Sequence, residues 1–256
     1  MKRIERQFAA LRAAGRKGLI GYLTAGDPDA AASERDLLAA VRGGLDVLEL
    51  GVPFSDPTAD GPVIQEAAQR ALAAGMDLEG VLRLTRRVRA ETEIPIVLFG
   101  YANPFYVYGY ERLCRDAAAA GADALLPVDL PFEEAGELRG HAEAAGLCLI
   151  PLIAPTTPEE RAAAILREAR GFVYYIMVTG VTGARERTAA DVAERVAALR
   201  RLTALPIAVG FGVSNGAQAR AAAQAADAVV VGSALVRAAR EGRLPELVRE
   251  LREALE

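Results

Sequence analysis

One carboxylate stands inside an otherwise apolar run of the sequence, and two more follow it in a loop. Glu49 lies in the segment Val47–Gly51, whose other residues carry no charge. Asp56 and Asp60 lie in the Pro- and Gly-rich segment that comes next. Burying a carboxylate in apolar surroundings costs free energy unless the group is paired or used in chemistry. Glu49 is therefore the first candidate for a catalytic group.

Glu49 and Asp60 are expected to differ in environment, which is the usual arrangement for acid/base catalysis by two carboxylates. Apolar surroundings raise the pKa of Glu49, so that it can give and take a proton near neutral pH. Asp60 is expected to be better solvated and ionised, and thus able to accept a hydrogen bond from a substrate. The structural alternatives are an ion pair between Glu49 and an arginine and a turn role for Asp60, while Asp56 is expected to order the loop.

Other catalytic chemistries lack the residues they need. The lysines are Lys2 and Lys17, both before the first predicted strand, and the one histidine, His141, lies in a helical stretch. A Schiff base needs a lysine in the pocket, a zinc site needs several ligands together, and a Ser-His or Cys-His nucleophile needs a histidine near it. We therefore expect no metal site, and acid/base chemistry by carboxylates is favoured.

Composition excludes several classes of function. The 256 residues carry a net charge of −4, contain no tryptophan and are only 5% aromatic, which argues against binding to nucleic acid. No apolar run reaches the roughly 18 residues that a membrane span needs. The first 17 residues place apolar side chains at helical spacing between charges, which predicts a short helix rather than a secretory signal. Cys114 and Cys148 are interpreted as buried thiols, so a cytoplasmic protein is expected.

The elements that must position these residues alternate between short apolar runs and longer helical stretches. Such runs are typical of parallel strands covered on both faces, and eight strand–helix units predict a (β/α)8 TIM barrel. We expect a single domain over residues 1–256 with an extra N-terminal helix. A doubly wound open sheet is the alternative, but Gly21–Gly26 lacks the spacing of a dinucleotide-binding loop. The eight runs are Leu19–Leu23, Val47–Gly51, Ile94–Phe99, Ala124–Val128, Cys148–Ile153, Phe172–Val178, Ile207–Gly210 and Ala228–Val231.

Three loops that follow late strands combine glycine with hydroxyl side chains and predict a phosphate site. Glycine lets backbone N–H groups approach an anion, and a helix N-terminus favours negative charge. Barrels often bind phosphate at the loops after strands seven and eight. The alternative is that barrel turns need glycine in any case. The candidate phosphate-binding residues are Gly183, Gly212, Gly232 and Ser233.

The segment Leu48–Pro62 resembles the signature of the tryptophan synthase alpha chain family. The resemblance extends from about Phe8 to about Arg240. Further segments match the same family in order and spacing: Tyr22–Pro28, Tyr101–Pro104, Gly180–Gly183, Gly210–Ser214 and Gly232–Ala234.

The resemblance implies a (β/α)8 lyase of tryptophan biosynthesis that cleaves indole-3-glycerol phosphate to indole and glyceraldehyde 3-phosphate. It also implies an α2β2 complex with a beta chain that carries pyridoxal phosphate (PLP) and receives the indole. No cofactor is expected on this chain itself.

Individual roles follow by matching positions. Glu49 matches the family's general acid/base, and Asp60 matches the carboxylate that binds the indole N–H. Tyr174 matches a tyrosine of the substrate pocket, and the four phosphate candidates match the family's phosphate-binding positions. Tyr22 and Phe211 are candidate walls of the same pocket, although a plain core role is equally compatible with them. The residues that match the surface facing the beta chain are Asp56, Pro57, Asn103 and Pro104.

Two other functions stay open at this point. A barrel phosphosugar isomerase also needs a phosphate site and a carboxylate base, but normally adds a Lys, His or Cys electrophile. A non-catalytic subunit that binds phosphate ligands would not need the Glu49/Asp60 pair. Release of indole from indole-3-glycerol phosphate would separate the three.

Overall fold

The computed structural model describes residues 2–176, 189–210 and 212–256. Within these ranges nine parallel strands form one sheet, and twelve helices accompany them. The strands are β1 Gly18–Thr24, β2 Val47–Gly51, β3 Ile96–Gly100, β4 Ala124–Pro127, β5 Cys148–Leu149, β6 Leu152–Ile153, β7 Val173–Ile176, β8 Ile207–Gly210 and β9 Ala228–Val231.

The helices frame the strands in chain order. None of those in the described ranges is both long and apolar enough to cross a membrane. They are α1 Arg3–Ala13, α2 Ala30–Gly43, α3 Pro62–Ala73, α4 Leu78–Glu91, α5 Ala102–Tyr108, α6 Tyr110–Ala120, α7 Gly136–Ala144, α8 Glu159–Glu168, α9 Ala189–Leu202, α10 Gly216–Ala223, α11 Ser233–Arg240 and α12 Leu244–Ala254.

The order of the strands shows a closed barrel. Hydrogen bonding runs β5-β4-β3-β2-β1-β9-β8-β7-β6, and only Ile150 and Pro151 separate the two edge strands in the chain. The N–H of Ile150 donates to the carbonyl of Leu125 at 2.9 Å, and the N–H of Tyr174 donates to the carbonyl of Pro151 at 3.0 Å. β5 and β6 are therefore the two halves of one barrel strand, which confirms the predicted (β/α)8 fold.

The predicted fifth strand is wrong in one respect, because it is not continuous. The run Cys148–Ile153 breaks at Pro151, which has no N–H to donate to a neighbouring strand. The other predicted runs correspond to strands: those of β2, β8 and β9 have the predicted bounds, and the rest differ by one or two residues. Residues 177 and 178 of the predicted run 172–178 lie outside the described residues.

The N-terminal helix closes one end of the barrel. Ile4, Phe8 and Leu11 on one face of α1 are buried and pack in the same cluster as inward-facing strand residues. The rings of Phe8 and Phe172 lie 5.7 Å apart between centroids. The predicted extra helix is confirmed, and it fills the end of the barrel opposite the carboxyl ends of the strands.

Three aspartates lock the amino ends of neighbouring strands together. Each precedes a strand, donates its N–H to the carbonyl of a residue on the adjacent strand, and accepts that residue's N–H with its carboxylate. The two bonds fix the register at its start, and the carboxylate–amide distances are 2.8 to 2.9 Å. The pairs are Asp46 with Leu19, Asp123 with Ile96 and Asp227 with Ile207.

Asp46 also joins the two ends of the chain. Its carboxylate accepts hydrogen bonds from Gln7 on α1 at 3.0 Å and from Arg252 on α12 at 2.5 Å. The same guanidinium donates to the carbonyl of Lys17 at 2.8 Å. Asp46 and Arg252 are both buried, so either one alone would leave an unpaired charge in the protein interior.

We predict that Asp46→Ala lowers the free energy of unfolding by about 3 kcal/mol. The substitution removes the carboxylate partner of the buried Arg252 guanidinium and of the buried Leu19 N–H. Urea unfolding of the isolated chain measures the change. The exposed Asp56 provides the control, since Asp56→Ala should change stability by less than about 0.5 kcal/mol. Equal stabilities of the two variants would show that the clamp at Asp46 contributes nothing.

Candidate active site

Glu49 lies on the inner face of the barrel, in the middle of β2. Val47 packs among the inward-facing residues, whereas Leu48 and Leu50 pack on the helix side. Since alternate residues of a strand share a face, Glu49 points inward with Val47. It is 0% exposed, and within the described part of the chain neither carboxyl oxygen has a hydrogen-bond partner. The predicted alternative of an ion pair with arginine is therefore not what the described residues show.

Burial alone changes the acidity of this group. Removal from water raises the pKa of Glu49 from its ordinary 4.5 to about 8. A carboxyl group with this pKa carries its proton at neutral pH and can release it within the physiological range. The perturbation that the sequence predicted is confirmed in direction and cause.

Tyr22 stands beside Glu49 on the neighbouring strand. The two residues are paired in register between β1 and β2, and Tyr22 is also buried. Its hydroxyl lies 3.3 Å from the hydroxyl of Thr24, and its ring meets the edge of Phe99 at 5.1 Å between centroids. A Cβ atom on Gly51 would lie 2.2 Å from the Tyr22 hydroxyl, so glycine at the end of β2 is what makes room for this side chain.

Tyr174 occupies a similar place on β7. Its side chain is buried, and a Cβ atom on Gly210 would come within 2.9 Å of its hydroxyl. Burial, together with the nearby charges of Glu49 and Asp60, raises the pKa of Tyr174 far above its ordinary value. Both tyrosines of the predicted pocket therefore present neutral hydroxyl groups on the inner wall of the barrel.

Asp60 is held by a tyrosine that the sequence analysis did not assign to it. The hydroxyl of Tyr101 donates to the Asp60 carboxylate at 2.9 Å and accepts the N–H of Ala59 at 3.0 Å. Gln65 donates to the Asp60 carbonyl at 2.8 Å. Burial raises the pKa of Asp60, and the Tyr101 hydrogen bond opposes that shift.

The expected difference between the two carboxylates needs a correction. Asp60 is more exposed than Glu49, but it is only partly solvated, and its pKa is raised as well. A Pro-rich loop is ordinarily solvated, and the fold of residues 53–62 against Tyr101 was not visible in the local sequence. The pair is thus one carboxyl without a described partner and one carboxyl with a hydroxyl donor.

The predicted phosphate site is described in part. Ser233 is the first residue of α11, and the carbonyl of Gly232 accepts the N–H groups of Leu235 at 2.8 Å and Val236 at 3.1 Å. The N–H groups that come before Leu235 at the start of this helix have no acceptor within the helix. They point toward the carboxyl end of β9. Gly212 is exposed after β8 with φ +68°, a conformation that favours glycine. Gly183 and Phe211 lie outside the described residues.

A cavity of about 410 Å³ opens at the carboxyl ends of the strands. Phe99 and Tyr174 form part of its inner wall, and Ala59, next to Asp60, forms part of its rim. In the described ranges no cluster of three or more His, Cys, Asp or Glu side chains is arranged to hold a metal ion. The cavity therefore presents apolar surfaces together with Tyr174, and of the two predicted carboxylates only Asp60 has a chain neighbour, Ala59, among its lining residues.

The residues predicted to face a partner lie outside this cavity. Asp56 is exposed and accepts a hydrogen bond from the hydroxyl of Ser55, and Pro57 is partly exposed next to it. Asn103 is exposed and Pro104 partly exposed in the first turn of α5. The same helix carries two large apolar side chains that the sequence analysis did not single out, Tyr106 and Val107, which are 67% and 77% exposed.

We predict that Glu49→Met stabilises the fold increasingly as the pH rises. Between pH 4.5 and 8 the folded state holds a proton that the unfolded state has lost, so the free energy of unfolding falls by about 1.4 kcal/mol per pH unit. Methionine removes this dependence. Urea unfolding of the variant and the wild type at pH 5 and pH 9 measures the difference between them.

The exposed Glu111 supplies the matched control, because Glu111→Met removes a carboxylate from the surface of α6. Its stability relative to the wild type should change little between the two pH values. A Glu49→Met difference that is the same at pH 5 and pH 9 would contradict the account of a desolvated acid.

Comparisons with known proteins show the family to which the chain belongs. The family model of the tryptophan synthase alpha chain matches residues 8–254. The tryptophan synthase alpha chain of Geobacter sp. (strain M21) is 52% identical over 251 residues, which cover 98% of this chain and 94% of the relative.

Solved structures give the same result. Tryptophan synthase subunit alpha from Legionella pneumophila str. Paris has a TM-score of 0.92 at 36% identity and covers 100% of this chain and 98% of its own. A chain of tryptophan synthase from M. tuberculosis has a TM-score of 0.92 at 38% identity, with coverage of 99% and 98%. The chain belongs to the tryptophan synthase alpha chain family.

Proposed function

We propose that this chain cleaves indole-3-glycerol phosphate to indole and glyceraldehyde 3-phosphate, as the alpha subunit of tryptophan synthase, with Glu49 as acid and base. The observation that carries the proposal is the fully buried carboxyl of Glu49, in the middle of β2 on the inner face of the barrel, whose pKa is raised to about 8. Family membership disfavours the isomerase and the non-catalytic subunit as alternatives.

The first chemical step is protonation of the substrate ring. The protonated carboxyl of Glu49 transfers its proton to carbon C3 of indole, and the ring nitrogen shares the positive charge that results. Asp60 accepts a hydrogen bond from the ring N–H and stabilises it as the charge develops. Tyr101 orients the Asp60 carboxylate by donating to one of its oxygens.

Cleavage of the carbon–carbon bond follows. Glu49, now a carboxylate, takes the proton from the hydroxyl on the carbon bonded to C3. That carbon becomes the aldehyde carbon of glyceraldehyde 3-phosphate, and the electron pair of the broken bond returns to the indole ring. The carboxyl ends the cycle protonated, so the step needs neither an amine nor a metal ion, and a pKa near neutrality serves both transfers.

The remaining site residues are proposed to hold the substrate. Gly232 and Ser233 offer backbone N–H groups at the start of α11 to the phosphate, and Gly212 lets the chain approach the anion closely. Tyr22 and Tyr174 are proposed to flank the substrate between β1 and β7. Gly183 and Phe211 complete the proposed phosphate and ring contacts, from outside the described residues.

We predict that Glu49→Gln lowers kcat by roughly 10²- to 10⁴-fold or more, because the amide cannot exchange the proton. Asp60→Asn should lose much of the rate but less than Glu49→Gln. Indole release from indole-3-glycerol phosphate measures kcat, and binding of inorganic phosphate serves as the control for an intact pocket. Near-normal turnover of Glu49→Gln would remove Glu49 from the mechanism.

The partner is proposed to be a tryptophan synthase beta chain that carries PLP, in an α2β2 complex that receives the indole. The proposed cleavage reaction does not use that cofactor. The proposed contact surface consists of Asp56, Pro57, Asn103 and Pro104, next to the exposed Val107 on α5. A cytoplasmic location is also proposed, and the two buried free thiols support it.

We predict that Val107→Asp weakens binding of the beta chain at least tenfold, because it places a charge in an apolar contact. Isothermal titration with a purified beta chain measures the affinity. Cleavage by the isolated variant should match the wild type, since Val107 lies outside the cavity. Unchanged affinity would show that this face of α5 is not the contact surface.

A further inference from the structure

The wall of the barrel has an opening beside the interrupted strand. β4 pairs with β5 only through Ala124 with Cys148 and Leu125 with Leu149. Above this point the chain passes Pro151 and pairs as β6 with β7 on the other side. In the described part of the chain, no ladder pair therefore joins the end of β4 to β6. Pro127 lies at that end, so a proline stands on each side of the opening.

The cavity at the mouth of the barrel extends through this opening. Its lining includes residues of the barrel interior and residues of the layer between the sheet and helices α7 and α8, so it reaches both faces of the wall. We call the outer part the lateral chamber. The interior lining includes Phe99, Ile150 and Tyr174, and the lateral chamber is lined by Phe132, Ala135, Leu149, Ile165 and Ala169.

Paired charges close the outer end of the lateral chamber. Arg139 on α7 donates to Glu168 on α8 at 2.5 Å, and its guanidinium lies 4.6 Å above the ring of Phe132. Arg161 donates to Glu133 at 2.8 Å. Each arginine at this end is thus already matched by a carboxylate, which leaves little attraction for an anionic ligand.

We propose that the lateral chamber binds an uncharged bicyclic aromatic molecule, namely the indole that the reaction releases. The proposal rests on the proposed cleavage reaction. Three features support it: the chamber has an apolar lining, it is continuous with the wall formed by Phe99 and Tyr174, and its charges are paired at the rim. A flat apolar ring of this kind gains from burial against aliphatic side chains and a phenyl ring.

The lateral chamber does not suit the whole substrate, which carries a phosphate group. Its phosphate needs backbone donors, which this chain is proposed to supply after β8 and at the start of α11. In the closed strand order, β9, which precedes α11, lies opposite β4, and β8 lies three strands from β4. The substrate site and the lateral chamber are therefore expected to be occupied at the same time.

The experiment fills the substrate site first. The full chain is saturated with a phosphorylated indolealkyl analogue that lacks the glycerol hydroxyl groups and cannot be cleaved, and indole is then titrated in. Calorimetry counts the indole bound, and methyl NMR of Ile165 and Leu149 locates it. We expect one further saturable indole site with shifts at these methyl groups. Indole-3-carboxylate, which adds a charge to the same ring, should not compete.

Two variants of α8 and its cap provide a matched pair. Ala169→Phe fills the lateral chamber and should weaken this second indole site at least tenfold, with cleavage by the chain within twofold of the wild type. Ala163→Phe adds the same ring at a partly exposed position of the same helix and should leave the second site unchanged. If Ala169→Phe does not fold, Ala135→Leu fills the chamber from the α7 side.

The outcomes separate this proposal from the function on which it rests. A wild-type chain that releases indole from its substrate but shows no saturable indole binding beside the analogue would overturn the lateral chamber alone. So would an unchanged second site in the folded, chamber-filling variant. A chain that does not cleave indole-3-glycerol phosphate would instead overturn the proposed function.

Discussion

The chemistry of this barrel depends on one desolvated carboxyl group. Glu49 points into an apolar interior, and the described residues give it no hydrogen bond and no counterion. The free energy of ionising it is correspondingly high, and its pKa of about 8 follows from burial alone. Every other feature of the site is arranged around this group: the tyrosines that flank it, the glycines that admit their hydroxyls, and the hydrogen-bonded Asp60.

Two other buried carboxylates differ from Glu49, because they have hydrogen-bond and ion-pair partners. Asp46 and Asp123 are also buried, but each accepts a strand N–H and a guanidinium hydrogen bond, from Arg252 and Arg89 respectively. These pairs lie at the amino ends of the strands, where they hold the register. The barrel thus separates stability from chemistry, with paired carboxylates at the amino ends of the strands and a carboxyl without a described partner in the middle of β2.

Much of this arrangement was predictable from the sequence, because it depends on local patterns. Near-continuous apolar runs predict parallel strands, and a lone Glu49 within one of them predicts a perturbed acid. The break in the strand at Pro151 was not predicted, because the apolar pattern of a run does not show that one of its residues lacks an N–H. The Tyr101–Asp60 hydrogen bond and the lateral chamber were missed because each depends on segments that are distant in sequence and meet only after the barrel closes.

The most direct test of the central claim is a titration of the Glu49 carboxyl itself. Carbon-13 NMR of the glutamate side-chain carboxyl groups, with the missing signal of Glu49→Gln as the assignment, follows its ionisation between pH 4 and pH 10. A desolvated acid predicts a transition with a midpoint near 8. A midpoint near the ordinary 4.5 would show that Glu49 is solvated or paired and would contradict the mechanism built on it.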